Sequence, residues 1–183
     1  RLLGDDLAQA PVLLDGLEDG IELRNELAPS AESPRLVGRG THILEGGVDN
    51  AHAVIERGPA RLLVAGVTDY RAHHILPTPR SDPAAAVADA PECDARLLLV
   101  HQPKSCFAAK AHGFDLQLSG HTHGGQFFPW NFVIGRFHPF VKGLSPWGKG
   151  WVYVNSGTGY WGPPMRIGVP SEITVLTLRR KTE

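Results

Sequence analysis

The sequence predicts an α/β domain, and three observations carry that prediction. Arg96–Val100 (RLLLV) is a short, continuous apolar run, the signature of a strand buried on both faces. Pro103–His112 reads as a helix that stops at Gly113, and Phe114–Leu118 (FDLQL) reads as the next strand, so 96–118 is a βαβ unit. Two further apolar runs, Trp151–Val154 and Ile173–Leu178, follow without a helix of their own, which gives the mixed element order of a layered domain.

The remaining elements follow in chain order. Residues 6–18 carry a helix-like pattern interrupted by Pro11, and residues 20–50 hold Pro29 and Pro34 with no sustained period. Residues 1–50 are therefore a poorly patterned N-terminal segment, and the recognisable domain is 51–183. His52–Glu56 and Arg61–Val67 are β-rich runs around Gly58-Pro59, a hairpin signal. Ser81 or Asp82 caps a helix that starts with Pro83 and runs through the alanines to Ala90. Residues 119–150 are rich in Gly, Phe, Trp and Pro, and an irregular stretch of that length inside a domain is usually a functional loop.

Bulk properties narrow the function. The 183 residues suffice for one core, with 42% apolar and 20% charged residues. A formal net charge of -1 gives no general pull toward nucleic acid, and there is no nucleic-acid-binding signature. Two cysteines, Cys93 and Cys106, make no disulfide framework and fit a reducing compartment. No apolar run approaches the ~20 residues that span a bilayer, and there is no signal peptide. The sequence opens on Arg1 rather than Met. The expectation is a soluble fragment of a longer protein, cytoplasmic or membrane-associated in its parent.

Three histidines follow predicted strands. His101 comes directly after RLLLV, and His121 and His123 come after FDLQLSG. Strand ends are where ligand sites form in α/β sheets, and two strands joined by a helix are expected to be neighbours. That places His101 near His121. Ser119, Gly120, Gly124 and Gly125 let the backbone turn tightly around the His-x-His pair and let a ligand approach. Imidazole suits Zn²⁺, Mn²⁺ and Fe²⁺, so a metal site is the reading preferred to three unconnected histidines.

Ser119–Gln126 (SGHTHGGQ), with Leu98–Pro103 (LLVHQP), resembles the last two metal motifs of the calcineurin-like metallophosphoesterases. Ala65–Tyr70 (AGVTDY), Asn155–Tyr160 (NSGTGY) and Met165–Ile173 (MRIGVPSEI) are similar to one bacterial branch, in which the domain often follows N-terminal membrane segments. The resemblance covers roughly residues 50–180. It implies a four-layer α-β-β-α sandwich, here a partial one with the N-terminal strands and motifs missing. It also implies two divalent ions (Mn, Zn or Fe), with His101 and His121 on one and His123 on the other. Two such ions roughly 3.5–4 Å apart clamp a phosphate and activate hydroxide.

The family's Asp-x-His, Gly-Asp-x-x-Asp and Gly-Asn-His-Glu/Asp motifs do not occur in these 183 residues. Gly4-Asp5 is followed by Ala8 where an Asp is needed, and Asn25-Glu26 lacks the His and the preceding Gly. Two divalent ions bring four positive charges together, and neutral imidazoles offset none of them. At most one ion is therefore expected for this chain alone. No catalytic residue is assigned. Half of a two-sheet core also leaves an apolar sheet face that invites self-association.

Other residues have two readings each. Asp69 either supports the metal or ends a strand, and Asn155 either lines the pocket or makes a turn. His73 and His74 fit the surface better than a ligand pair, and Cys106 fits a buried inert thiol. Phe127–Trp130 (FFPW) shape a substrate rim, meet a membrane interface, or pack. Arg166 reads as structural ahead of phosphate-binding. The leading function is hydrolysis of a phosphoester of unknown identity, impaired in this fragment. The alternative is a non-catalytic metal-binding or interaction remnant.

Overall fold

The computed structural model describes residues 35–37, 50–75 and 77–178. The chain divides into two compact units, Glu32–Ile173 and a second of Arg1–Ala31 with Thr174–Glu183. The helix-like pattern over 6–18, and residues 20–50 apart from 35–37 and 50, lie outside the described residues. Of the second unit, 174–178 are described and form neither helix nor strand.

The larger unit is built on one mixed sheet. Its strands are β1 (Arg35–Val37), β2 (Ala51–Arg57), β3 (Ala60–Gly66), β4 (Ala95–Leu99), β5 (Leu116–Ser119), β6 (Gly143–Trp147) and β7 (Gly150–Val154). Their spatial order is β1-β2-β3-β4-β5-β7-β6. β2 and β3 form the expected antiparallel hairpin, turned at Gly58 with φ +54°. β3, β4, β5 and β7 run parallel, and β6 closes the edge antiparallel to β7.

The helices are short. α1 (Pro83–Ala86) starts at Asp82, whose Oδ1 accepts the N–H groups of Ala84 (2.9 Å) and Ala85 (3.0 Å). It ends well before Ala90, because Val87 already leaves helical geometry and Asp89 has φ +58°. α2 (Cys106–Ala109) lies between 3-10 turns at Pro103–Ser105 and Lys110–His112. The path ends at Gly113 with φ +67°, the left-handed stop expected there.

Two sequence expectations are corrected. Residues 119–150 are not wholly irregular: they contain α3 (Trp130–Val133) and strand β6. Gly143, Pro146 and Gly148 make β6 read as loop, yet β6 is an edge strand, where a proline removes no interior ladder bond. Conversely, Ile173–Leu178 is not a strand. Its alternating apolar residues satisfy β-propensity, but Ile173 is 86% exposed, and propensity alone does not make a strand.

The two faces of the sheet differ. Register puts Leu63, Ala65, Leu98, Gln117 and Val152 on one face, and α1 and α2 cover it. Leu63, Ala65 and Leu98 are fully buried there against Ala86 and Ala109. The other face carries Ala53, Val64 and Leu116, which are buried, and Leu97, Leu99, Leu118, Trp151 and Tyr153, which are only partly buried. Among the described residues there is thus one sheet with helices on one face. Those are two of the four layers that the resemblance implies.

Candidate metal centre

Parallel pairing gathers the candidate residues. The ladder between β4 and β5 continues one step past the strands: Val100 N–H donates to Leu118 O (3.1 Å), and Gly120 N–H donates to His101 O (3.1 Å). On the other side of β5, Asn155 N–H donates to Ser119 O (2.8 Å). Asp69, His101, His121 and Asn155 therefore stand just beyond the carboxyl ends of four adjacent parallel strands, the expected position for a ligand site.

His101 and His121 meet directly. Nε2 of His101 and Nδ1 of His121 lie 3.2 Å apart, with ring centroids 4.9 Å apart. Burial, followed by the neighbouring rings of His101 and His138, lowers the pKa of His121 to about 4. The ring is thus neutral at physiological pH, the form that ligates metals. Burial and then Arg166 lower the pKa of His123. His123 faces differently from His121: its Nδ1 lies 3.3 Å from the Arg166 guanidinium.

Asp69 is divided between two roles. Its Oδ1 accepts the N–H of Arg71 (2.8 Å) and Nε2 of the buried Gln102 (3.3 Å), which closes a turn and ties Asp69 to the residue after His101. Its Oδ2 is buried and has no hydrogen-bond partner. An unpaired buried carboxylate oxygen is costly unless a cation or proton satisfies it. Asn155 is a turn residue, since its Oδ1 accepts Gly157 N–H at 2.7 Å.

Sequence reasoning missed His138. Its ring centroid is 5.2 Å from that of His121, and its Nδ1 is buried without a partner. Nothing in the local pattern singled it out, because only the folding back of the 127–141 segment brings it to the strand ends. Arg166 takes its structural reading: its guanidinium donates to the carbonyls of Ser156 (2.7 Å) and Gly159 (2.7 and 2.9 Å). His73 and His74 lie in a 3-10 turn with their rings in tilted contact, and His74 is exposed. Cys106 is buried, and burial raises its pKa to about 11.

The histidine loop is held by its other residues. Thr122 is buried and its hydroxyl donates to Val141 O at 2.5 Å. A Cβ on Gly124 would lie 2.8 Å from Val169 Cγ1, and one on Gly125 would lie 2.4 Å from Asn131 Cα. Gln126 is fully buried and grips the 161–163 segment: its Nε2 donates to Trp161 O (2.8 Å) and Pro163 O (3.2 Å), and its Oε1 accepts Trp161 N–H (2.7 Å). His121, His123 and Gln126 all have positive φ (70°, 50° and 54°), which non-glycine residues rarely adopt. Strain of this kind persists only where the surroundings over-determine it, as they do here.

Known proteins are similar to parts of this chain. The chain is 50% identical over 88 residues to an uncharacterized metallophosphoesterase of Campylobacter jejuni, a match that covers 48% of this chain and 24% of that protein. It is 36% identical over 138 residues to a zebrafish (Danio rerio) transmembrane protein with metallophosphoesterase domain, covering 72% of this chain and 32% of that one. An uncharacterized metallophosphoesterase of Bacillus subtilis is 37% identical over 87 residues, 45% of this chain and 30% of that protein. The chain spans about a quarter to a third of the length of these relatives. No family model and no solved structure matches. The chain belongs to the calcineurin-like metallophosphoesterases, a phosphoester hydrolase family, and carries the C-terminal part of their domain.

Membership implies divalent metal cofactors. Among the described residues, no group of three or more His, Cys, Asp or Glu side chains is placed so that it could hold an ion by itself. The donors nevertheless fit a divalent ion in kind. They include a low-pKa imidazole, a second ring nitrogen 3.2 Å away, and a carboxylate oxygen without a partner.

Proposed function

We propose that this chain supplies the histidine wall of a divalent-metal site for phosphoester hydrolysis, with His101, His121 and His123 as ligands and Asp69 beside them. The observation that carries the reading is the contact between His101 and His121 at the ends of neighbouring parallel strands, next to the unpaired Oδ2 of Asp69. A bound divalent ion supplies Lewis acidity and a hydroxide-like nucleophile near neutral pH. The chain's own residues hold the ring nitrogens in place. His121 stays neutral through burial, Gln102 orients Asp69, and Arg166 fixes His123.

In this proposal the wall alone does not make an active enzyme. The carboxylates that would balance two ions have no Asp-x-His, Gly-Asp-x-x-Asp or Gly-Asn-His motif to supply them in this sequence. Calorimetric titration with Mn²⁺ and Zn²⁺, alongside hydrolysis of p-nitrophenyl phosphate and its bis-ester, tests it. The expected result is one weak site, lost in His121→Ala, with little turnover. Metal binding unchanged in His101→Ala and His121→Ala would sink the reading.

The second reading is a non-catalytic remnant that acts by binding or self-association. It is favoured by the lack of a closed donor group among the described residues and by the half-covered sheet face. Absence of any metal binding, together with dimerisation lost in Leu99→Ser, would support it over the first.

A further inference from the structure

The metal reading gives no role to the aromatic segment that follows the histidine loop. The helical stretch Trp130–Arg136 buries only Ile134. Trp130 is half-buried and stacks on Phe137 with centroids 5.8 Å apart, whereas Phe132 is 74% exposed and the neighbouring Phe128 and Phe137 are 62% and 56% exposed. The backbone beneath them is firmly bonded. Asn131 N–H donates to Phe127 O, Phe132 N–H to Pro129 O, and Phe137 N–H to Ile134 O, each at 3.0 Å.

Two of the exposed rings are in direct contact. Phe128 meets Phe132 edge-on with centroids 5.9 Å apart. Phe128 N–H donates to Ile167 O (3.0 Å), and Phe127 contacts Trp161 at 6.1 Å, so the exposed Trp161 and Ile167 extend the same patch. Scattered apolar residues are ordinary on a protein surface, but a contiguous patch marks an interaction.

Charge selects the occupant. Between Asp115 and Glu172 the sequence contains no Asp or Glu, although the whole chain has a net charge of -1. Arg136 and Lys142, both exposed, lie within that acid-free stretch, and Arg136 follows Phe132 by about one helical turn and directly precedes Phe137. Aromatic rings favour the headgroup level of a bilayer, and basic side chains next to them are drawn to anionic lipid. We propose that Phe128, Phe132 and Phe137, with Arg136, form a docking surface for an anionic lipid bilayer. His138 follows Phe137 directly and lies against His121, so docking here brings the histidine loop close to the membrane surface.

The surface needs no metal, which separates its test from that of the metal site. The chain is sedimented with phosphatidylcholine vesicles, with and without phosphatidylglycerol, in EDTA. Binding is expected only with phosphatidylglycerol, and is expected to fall with added salt. Arg136→Glu is expected to weaken it at least about five-fold. Phe128→Ser with Phe132→Ser is expected to weaken it roughly ten-fold. Ile75→Ser, 83% exposed outside the segment, is expected to change nothing. Unfolding midpoints check each variant, and Arg136→Glu decides if the double variant fails to fold. Equal binding to neutral vesicles, or no binding to anionic ones, overturns the proposal. So does a vesicle-free dimer that the double serine variant abolishes, because the occupant is then a second copy.

Discussion

The two faces of the sheet are built from equally apolar strands but differ in what covers them. Leu98 faces the helices and is fully buried, whereas its neighbours Leu97 and Leu99 on the opposite face are only partly buried. A strand with leucines on both sides carries the composition of a strand buried on both sides. That composition, with Val64 and Leu116 buried on the second face and Leu97 and Leu99 only partly so, fits a layered domain of which this chain carries the C-terminal part.

Substitutions at matched positions measure that difference. Leu98→Ala is expected to cost about 3–5 kcal/mol, because the helices cannot close the cavity, and a urea midpoint reads it. Burial also continues past the strands, in Thr122, Gly124, Gly125 and Gln126 of the histidine loop. Gly125→Ala there is expected to cost about 3 kcal/mol through overpacking against Asn131 and a left-handed backbone. Cys106, the buried first residue of α2, should hold about a hundred-fold less thiolate than a free cysteine at the same pH. Iodoacetamide is therefore expected to label it only after unfolding. Its raised pKa contributes stability that is fully present below about pH 9 and is lost as pH rises toward 11.

Leu99→Ala, on the half-covered face, is expected to cost only about 1–2 kcal/mol. Equal losses at Leu98 and Leu99 would erase the distinction between the faces. The smallest effect tests the strained loop. His121→Gly is expected to gain about 1 kcal/mol by relieving φ +70°, while abolishing metal binding. A loss of stability there would show that the ring packs as a core side chain.

Much of the fold was legible locally. The β2–β3 hairpin announced itself through Gly58-Pro59, and the helical path through Pro103 and Gly113, because turns and caps depend on a few neighbouring residues. β6 was hidden by its proline, which an edge position tolerates. Ile173–Leu178 misled because its alternating apolar residues satisfy β-propensity, which is a weak guide outside its tertiary context. The His-x-His loop was legible through its residue types, but half of its motif turns out to be scaffold. Thr122, Gly124, Gly125 and Gln126 pack and anchor, and only the two histidines face the site.

The sequence by itself determined the family, the parallel βαβ frame and the identity of the three histidines, since each rests on short-range pattern and chemistry. The tertiary structure alone decided which groups meet. Parallel register put His101 against His121, the return of the 127–141 segment added His138, and burial with neighbouring rings set the neutral state of His121. Those outcomes depend on contacts between residues distant in the chain and on the water that the fold excludes, and local sequence specifies neither.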